Sequence, residues 1–428
     1  MLRKRKIFYG WWIVLASAVL NFLAGGTFLY GFTVFFNPVK DTFRWSAAVT
    51  SIVFLFQRLE QGMLSPLAGF LVDRIGPRKM MLAGWTVVGL GFLLMSRINS
   101  LFSFYGSFII IATGFSFGSF VVMNTAVAHW FREKRSRALT FIYVGFGVSG
   151  TLVPLAAMSI DKFGWRTTLT LIGIILLVFG TSLSSLMRHK PGQYGYLPDG
   201  KTEIATAGLA NSADPSSAGK STRQEASVTA AGVTVRLALR TRAFWLLSLV
   251  FLFQHLATSA VMVHIVPFLE SVEVPTTLAA TVVTGMTLCS LIGRLGFGFL
   301  GDFYNKRYLI AISVTVQTVG VLVFAFVAPN STWLIIPFLL LYGPGYGGGI
   351  PLRPALQADY FGIQSFGTIM GLMSIPSMIG GLFSPVFAGW VYDVTGSYHM
   401  AWLIIALASI PAIPLILLAK PPQVDQAT

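Results

Sequence analysis

In the stretch LIGRLGFGFLGDFYNKR, from Leu291 to Arg307, a single arginine stands inside an apolar run. Arg294 is followed eight residues later by Asp302, then by the basic pair Lys306 and Arg307. Eight residues of helix cover about 12 Å, which sets Arg294 near the middle of a hydrocarbon core about 30 Å thick. An ionised guanidinium at that depth is expensive and points to an anionic partner, and its forked donors suit a carboxylate held bidentately. Few residues would do chemistry beside it. Glu60 is the one carboxylate well inside an apolar span, a candidate for carrying a proton or for pairing with a cation on another helix. Arg58, two positions before it, points to nearly the opposite helix face and is not its neat partner. His255, next to Gln254, titrates in the physiological range and is a candidate proton or substrate ligand, with a hydrogen-bonded core imidazole as the competing role. Tyr342 and Tyr346 lie one turn apart on one face, where they would wall a small acid and donate a phenol to it, or pack the core.

These residues need helices in a bilayer to hold them. With 55% hydrophobic and 11% charged residues, including 36 phenylalanines, the chain has the composition of a membrane protein. The first apolar segment follows the basic MLRKRK and is expected to stay as a membrane helix. One cysteine, Cys289, excludes an intrachain disulfide, and one cysteine with five dispersed histidines and no HExxH offers neither a nucleophile-base pair nor a metal set. An enzyme, a metal and a cofactor are therefore not expected. Gly145, Gly147 and Gly150 spell a dinucleotide fingerprint but sit inside an apolar span with no preceding strand, which suits close helix packing.

At about 20 apolar residues per crossing, spans fall near 9–36, 47–72, 80–98, 103–129, 138–160 and 166–187, and again near 243–268, 277–301, 308–328, 333–357, 364–391 and 399–419. Most of the 30 Lys and Arg cluster at the N-terminus, in alternate loops and in the segment 188–242, while the opposite loops hold Lys40, Arg44, Arg97, Lys162 and Arg166. Both termini are thus expected on the cytoplasmic side. The +15 net charge is then an orientation signal, so nucleic acid is not expected as a partner. Arg353, near a cytoplasmic helix end, is expected to extend its stem outward.

Between 188 and 242 hydrophobicity collapses, as in TAGLANSADPSSAGKSTRQEAS, and a linker is expected there. It divides the chain into 1–187 and 243–428. The two parts echo each other: Gly69 with Asp73 and Gly298 with Asp302, Trp130-Phe131 and Tyr360-Phe361, Asp161 with Gly164 and Asp393 with Gly396, all at a nearly constant spacing. Such a duplication of six helices in one orientation is the pattern of parallel-repeat transporters.

The run GFLVDRIGPRK resembles the signature of the major facilitator superfamily, G-x-x-x-D-R-x-G-x-R-[RK], with Gly69, Asp73, Arg74, Gly76, Arg78 and Lys79 all in place. The resemblance implies an all-α membrane protein of twelve helices in two six-helix repeats. It implies a cytoplasmic gate at Gly69, Asp73, Arg74 and Arg78, with Asp302 in the weaker second copy. Tyr9-Gly10-Trp11, Trp130-Phe131-x-x-Lys134-Arg135 and Leu239 to Trp245 resemble the monocarboxylate transporter and oxalate-formate antiporter group. By that resemblance Arg294 is the substrate-carboxylate arginine. Tyr30, Asn124 and Tyr143 are candidate polar cavity lining, and Tyr342 and Tyr346 match an aromatic pair of the oxalate branch. The proton-carrying acid of animal members is replaced by Ser290, and the lysine that oxalate antiporters add in helix eleven has no counterpart between Gln364 and Trp390. One central cation argues for a monoanion. The expected function is transport of a small monocarboxylate such as L-lactate, with a proton, across the cell membrane; the alternative is an oxalate-formate-type exchanger.

Overall fold

A computed structural model of the chain describes residues 7–46, 49–50, 52–53, 56, 62–118, 120–200 and 233–422. Among the described residues eleven helices are long and apolar enough to cross a membrane. In the first part of the chain run α1 (Tyr9–Phe43), α2 (Ser65–Ile75), α3 (Pro77–Met95), α4 (Leu101–Trp130), α5 (Arg135–Phe163) and α6 (Trp165–Ser185). The second part holds α7 (Arg242–Ser271), α8 (Thr276–Leu300), α9 (Lys306–Ala325), α10 (Ile335–Phe361), α11 (Phe366–Thr395) and α12 (His399–Leu418). The expected all-α architecture is the observed one. α2 is the described end of the span expected over 47–72, and Glu60 lies outside the described residues.

The helix ends follow local chemistry. Gly76, at φ 87°, ends α2 in a conformation that a side chain would resist, and Pro77 opens α3 where its missing N–H costs nothing. α1 runs past the expected end at Phe36. It passes through a π turn at Gly25–Leu29 and a 3₁₀ turn at Gly31–Phe35, then resumes as α-helix to Phe43. The polar run Asn37-Pro38-Val39-Lys40-Asp41 looked like a loop, yet it is a final amphipathic stretch with Lys40 in its last turn, where a cation favours the helix dipole. α10 likewise continues across Pro344, Pro351 and Pro354. Membrane helices tolerate such prolines. Ser313 of α9 donates to the Gly345 carbonyl at 2.6 Å and ties the two helices together.

The helices form two compact units, Met1–Val233 with Gly362–Gly371, and Thr234–Phe361 with Leu372–Thr428. In the second unit Phe268, Phe324, Phe338 and Trp402 pack ring to ring, with Phe324 and Phe338 stacked at 4.1 Å. Backbone approaches through glycine knit α8 to α10: Gly293 lies against the Pro344 carbonyl and Gly347 against the Ser290 carbonyl. Neither position has room for a methyl group, so the two helices meet at backbone contact on either side of the turn that carries Tyr346.

The segment expected as linker from 188 onward begins differently. Two 3₁₀ turns, Pro191–Tyr194 and Pro198–Gly200, are docked on the first unit. Tyr196 packs on Phe8, Tyr9 and Trp130, and the Arg188 guanidinium is sandwiched between the rings of Tyr9 at 3.8 Å and Tyr194 at 4.5 Å. Asp199 accepts three successive amide bonds, from Arg132, Glu133 and Lys134, at 2.9 to 3.1 Å. The low average hydropathy of 188–242 hid an aromatic and proline-rich strap at its start. Residues 201–232 lie outside the description. At the far end a short helix, Val235–Arg240, leads to Thr241, whose hydroxyl accepts from the Phe244 amide and caps α7.

Candidate functional site

Arg294 is on α8 and 2% exposed, among the largest enclosed side chains of the molecule. At that burial its charge requires hydrogen bonds or an anion around it. Its guanidinium carbon is 6.0 Å from the centre of the Tyr346 ring, within reach of a cation–π attraction. Tyr346 is partly exposed and stacks on Tyr342 at 6.1 Å with 18° between the planes; Tyr342 stacks in turn on Phe338 at 5.2 Å. The expected pair is therefore one continuous stack, but its members differ: Tyr342 has no exposed surface. Ser290, one turn before Arg294, is buried and donates to the Thr287 carbonyl at 2.7 Å.

On α7, His255 is partly exposed and its ring lies against Gly381 of α11, where a Cβ would meet it at 2.8 Å. His264 serves as a tie between elements: Nε2 is 2.8 Å from the Pro385 carbonyl and Nδ1 is 3.2 Å from the Tyr398 hydroxyl. The carbonyl accepts only, so Nε2 carries the proton in the neutral ring and Nδ1 accepts from the phenol. Arg353 departs from the expected outward extension. Its Nε donates to Gln254 Oε1 at 2.9 Å and its guanidinium carbon lies 5.3 Å from the Phe251 ring centre, so it turns toward α7.

The first unit carries a neutral counterpart. Asn124 is 1% exposed and its Nδ2 lies 2.7 Å from the Tyr143 hydroxyl; its Oδ1 is buried without a hydrogen-bond partner. Tyr143 stacks on Phe120 at 5.9 Å, Phe120 meets Phe146 edge-on at 5.3 Å, and Phe146 meets Tyr30 at 5.6 Å. Tyr30, Asn124 and Tyr143, separate candidates by sequence, are thus joined through Phe120 and Phe146. Tyr30 is the open end of this row, at 37% exposure. Nothing in the hydropathy pattern distinguishes Phe120 and Phe146 from the other phenylalanines; only the fold does.

The signature motif has a definite geometry. Gly69 on α2 lies against the Gly367 carbonyl, closer than any side chain would permit. That approach lets Asp73 reach the start of α11, where Oδ1 accepts from the Gly367 amide at 3.0 Å and Oδ2 from the Thr368 amide at 2.8 Å and hydroxyl at 2.7 Å. A carboxylate at a helix N-terminus satisfies orphan amides and opposes the positive end of the dipole. Burial pushes the Asp73 carboxyl above its ordinary range, while the Thr368 and Gly367 bonds pull it back. Arg74 folds over Phe70 at 4.4 Å, and Arg78 is exposed. In the second copy Asp302 is partly exposed, and Lys306 pairs with Asp359 at the end of α10, Nζ to Oδ2 at 2.7 Å.

Among the described residues no group of three His, Cys, Asp or Glu is placed to hold a metal ion. The second unit holds an enclosed guanidinium, phenols and an imidazole, and the first unit holds an amide and phenols.

A model of the family described as Major Facilitator Superfamily matches residues 14–280 and 247–428. The chain is 25% identical over 417 residues to the oxalate:formate antiporter of Oxalobacter formigenes, covering 94% of this chain and 90% of the antiporter. It is 24% identical over 409 residues to monocarboxylate transporter 2 of Rattus norvegicus, covering 92% and 80% respectively. Among solved structures, the E. coli fucose:proton symporter superposes with a TM-score of 0.69 at 14% identity, over 95% of this chain and 98% of the symporter, which speaks to the fold alone. With the family model covering nearly the whole length, the chain belongs to the Major Facilitator Superfamily and is a multi-pass membrane transporter related to the monocarboxylate transporters and to an oxalate:formate antiporter.

Proposed function

We propose that the protein carries small monocarboxylates such as L-lactate across the cell membrane together with a proton, by alternating access, with both termini cytoplasmic and no enzymatic step. The observation that supports this most is the enclosed Arg294 guanidinium beside the Tyr346 ring. Its fork receives the carboxylate, and the Tyr346 face covers the short apolar tail. Tyr342 acts from behind Tyr346, and within the first unit Asn124, Tyr143 and Tyr30 are the candidate substrate-binding residues. The absence of Lys and Arg between Gln364 and Trp390 favours one negative charge over two. His255 and Glu60 are the candidate proton carriers. Gly69, Asp73, Arg74 and Arg78 form the cytoplasmic gate, in which three hydrogen bonds at Asp73 hold the start of α11 until the carrier opens inward; Asp302 belongs to its second copy.

The test is uptake by the purified full-length protein in proteoliposomes, with labelled lactate, formate and oxalate, with and without an inward proton gradient. Saturable lactate uptake stimulated by external acid, accompanied by internal acidification and lost in Arg294→Gln with the folded protein retained, is the expected result. Normal uptake by Arg294→Gln would sink the substrate assignment. Strict oxalate–formate exchange, indifferent to the proton gradient, would replace it with the antiporter reading.

A further inference from the structure

Arg353 is partly exposed on α10, near the Phe361 end, where a long stem can extend outward to water. The fold turns it inward instead. Its Nε donates to Gln254 Oε1 of α7 at 2.9 Å, and its guanidinium carbon lies 5.3 Å from the Phe251 ring centre. Seven residues of helix separate it from Tyr346. At about 3.6 residues per turn that spacing returns Arg353 to the Tyr346 face of α10, about 10 Å further along the axis. Because the Tyr346 ring lies beside Arg294, one face of α10 leads from one cation toward the other.

Gln254 reaches this face between the two. It is 1% exposed, and a methyl group at Gly349, the α10 residue one turn before Arg353, would stand 2.5 Å from its Nε2. The Arg353 bond fixes the setting of the amide, because an Nε–H is answered by the carbonyl oxygen and not by the NH₂. Nε2 is thereby turned toward Gly349, buried and with no acceptor among the described residues. Interiors seldom leave such a donor unanswered. If the amide turns over about its last bond, Nε2 faces Arg353 and two donors stand together, so a third group must accept from both. Beside a guanidinium, an anionic acceptor is held more strongly than a neutral one.

We propose that Arg353 and Gln254 form a second site for small carboxylates within the second unit, two turns of α10 beyond Tyr346 toward Phe361. In the structure Gln254 Oε1 holds the place of a carboxylate oxygen on Arg353 Nε. The arriving carboxylate takes that place and the amide turns over, so the anion accepts from the guanidinium with one oxygen and from Gln254 Nε2 with the other. Such a site presupposes the proposed carboxylate transport and is independent of which residue holds the anion at mid-helix. It offers the carboxylate a station on the side proposed as cytoplasmic.

The experiment is equilibrium binding of labelled L-lactate to the purified full-length protein in detergent, over a concentration range wide enough to count sites. The parent is expected to bind two lactates, the second about tenfold more weakly because Arg353 must give up its Gln254 bond. Arg353→Gln should abolish the weaker phase and leave the tighter one. Gln254→Leu should weaken that phase about fivefold to tenfold, the range of one hydrogen bond. Gln254→Glu places a permanent carboxylate on Arg353, so the weaker phase should vanish while the thermal midpoint holds or rises, which separates lost binding from lost fold. A Gln254–Arg353 pair that only ties α7 to α10 predicts a single phase in the parent, or a second phase untouched by Arg353→Gln and Gln254→Glu, and either result overturns the inference. Arg294→Gln separates the two claims. It should remove the tighter phase and leave the weaker one; a tighter phase retained there defeats the Arg294 assignment, while the second site stands as long as Arg353→Gln still removes the weaker phase.

Discussion

Two regions built on the same repeat do unequal chemistry. Four residues before the signature glycine, the second repeat has Arg294 before Gly298, and the first has Ser65 before Gly69. Around Arg294 the neighbours are an aromatic stack and close α8–α10 backbone contact. The first unit offers instead an amide and a phenol, Asn124 and Tyr143, at the end of a row of rings. The two copies are similar scaffolds, and at this register only the second carries an arginine. The signature motif and its second copy divide in the same way: Asp73 accepts three bonds at the start of α11, while the second copy contains the Lys306–Asp359 ion pair.

The comparison breaks most sharply at Arg294. Arg294→Gln is expected to lower uptake by about 100-fold or more, since removing the buried cation leaves its surroundings uncompensated. Arg294→Lys should recover part of the loss, because it keeps the charge and not the fork. Initial rates in proteoliposomes, normalised to folded protein, decide both. Next in size is Gly69→Ala. The added methyl has no room against the Gly367 carbonyl, so the Asp73 contact opens and uptake should fall about tenfold, within the usual overpacking range. Labelling rates of cysteines introduced beside Gly69 should rise in parallel, and unchanged labelling would count against this geometry.

Smaller effects probe the neutral half. Asn124→Leu is expected to raise KM about fivefold, the scale of one hydrogen bond, without changing the preference for one charge over two. A swing toward dicarboxylates in that variant would show that the first unit, and not Arg294 alone, sets the charge selectivity. Asp199→Ala removes the acceptor of three amides and should speed hydrogen exchange at Arg132, Glu133 and Lys134 about fivefold, with transport nearly intact. The smallest effect is pH-dependent. Burial, and then the neighbouring Lys190, hold the His189 imidazole below its ordinary 6.5. Its folded state prefers the neutral ring, so the stability tied to it is whole above pH 6.5 and is lost as pH falls from there through the folded value. The thermal midpoint of the purified protein should drop on acidification, and less so in His189→Gln.

Much of this was legible without coordinates. Membrane crossing is written in the run length of apolar residues, the α2–α3 break in Gly76-Pro77, and the repeat in the spacing of Gly69-Asp73 and Gly298-Asp302, because each is a property of neighbouring residues. Arg294 stood out for the same reason: a lone guanidinium at mid-span is costly wherever the helix lies. The strap at 188–200 was missed because averaging hydropathy over the whole segment dilutes Tyr194, Tyr196 and the Pro198-Asp199-Gly200 turn. The end expected at Phe36 falls short of Phe43 because the run Asn37 to Asp41 is polar yet helical, and the span expected to end near 357 continues to Phe361.

What residue type and spacing settled was the fold class, the duplication and the central charge at Arg294. Tertiary packing decided the rest: that Tyr346 faces Arg294 while Tyr342 is sealed behind it, and that Phe120 and Phe146 bridge Asn124 to Tyr30. The physical reason is that helical periodicity assigns each residue a face, whereas which neighbour lies against that face depends on glycine approaches between helices distant in the chain.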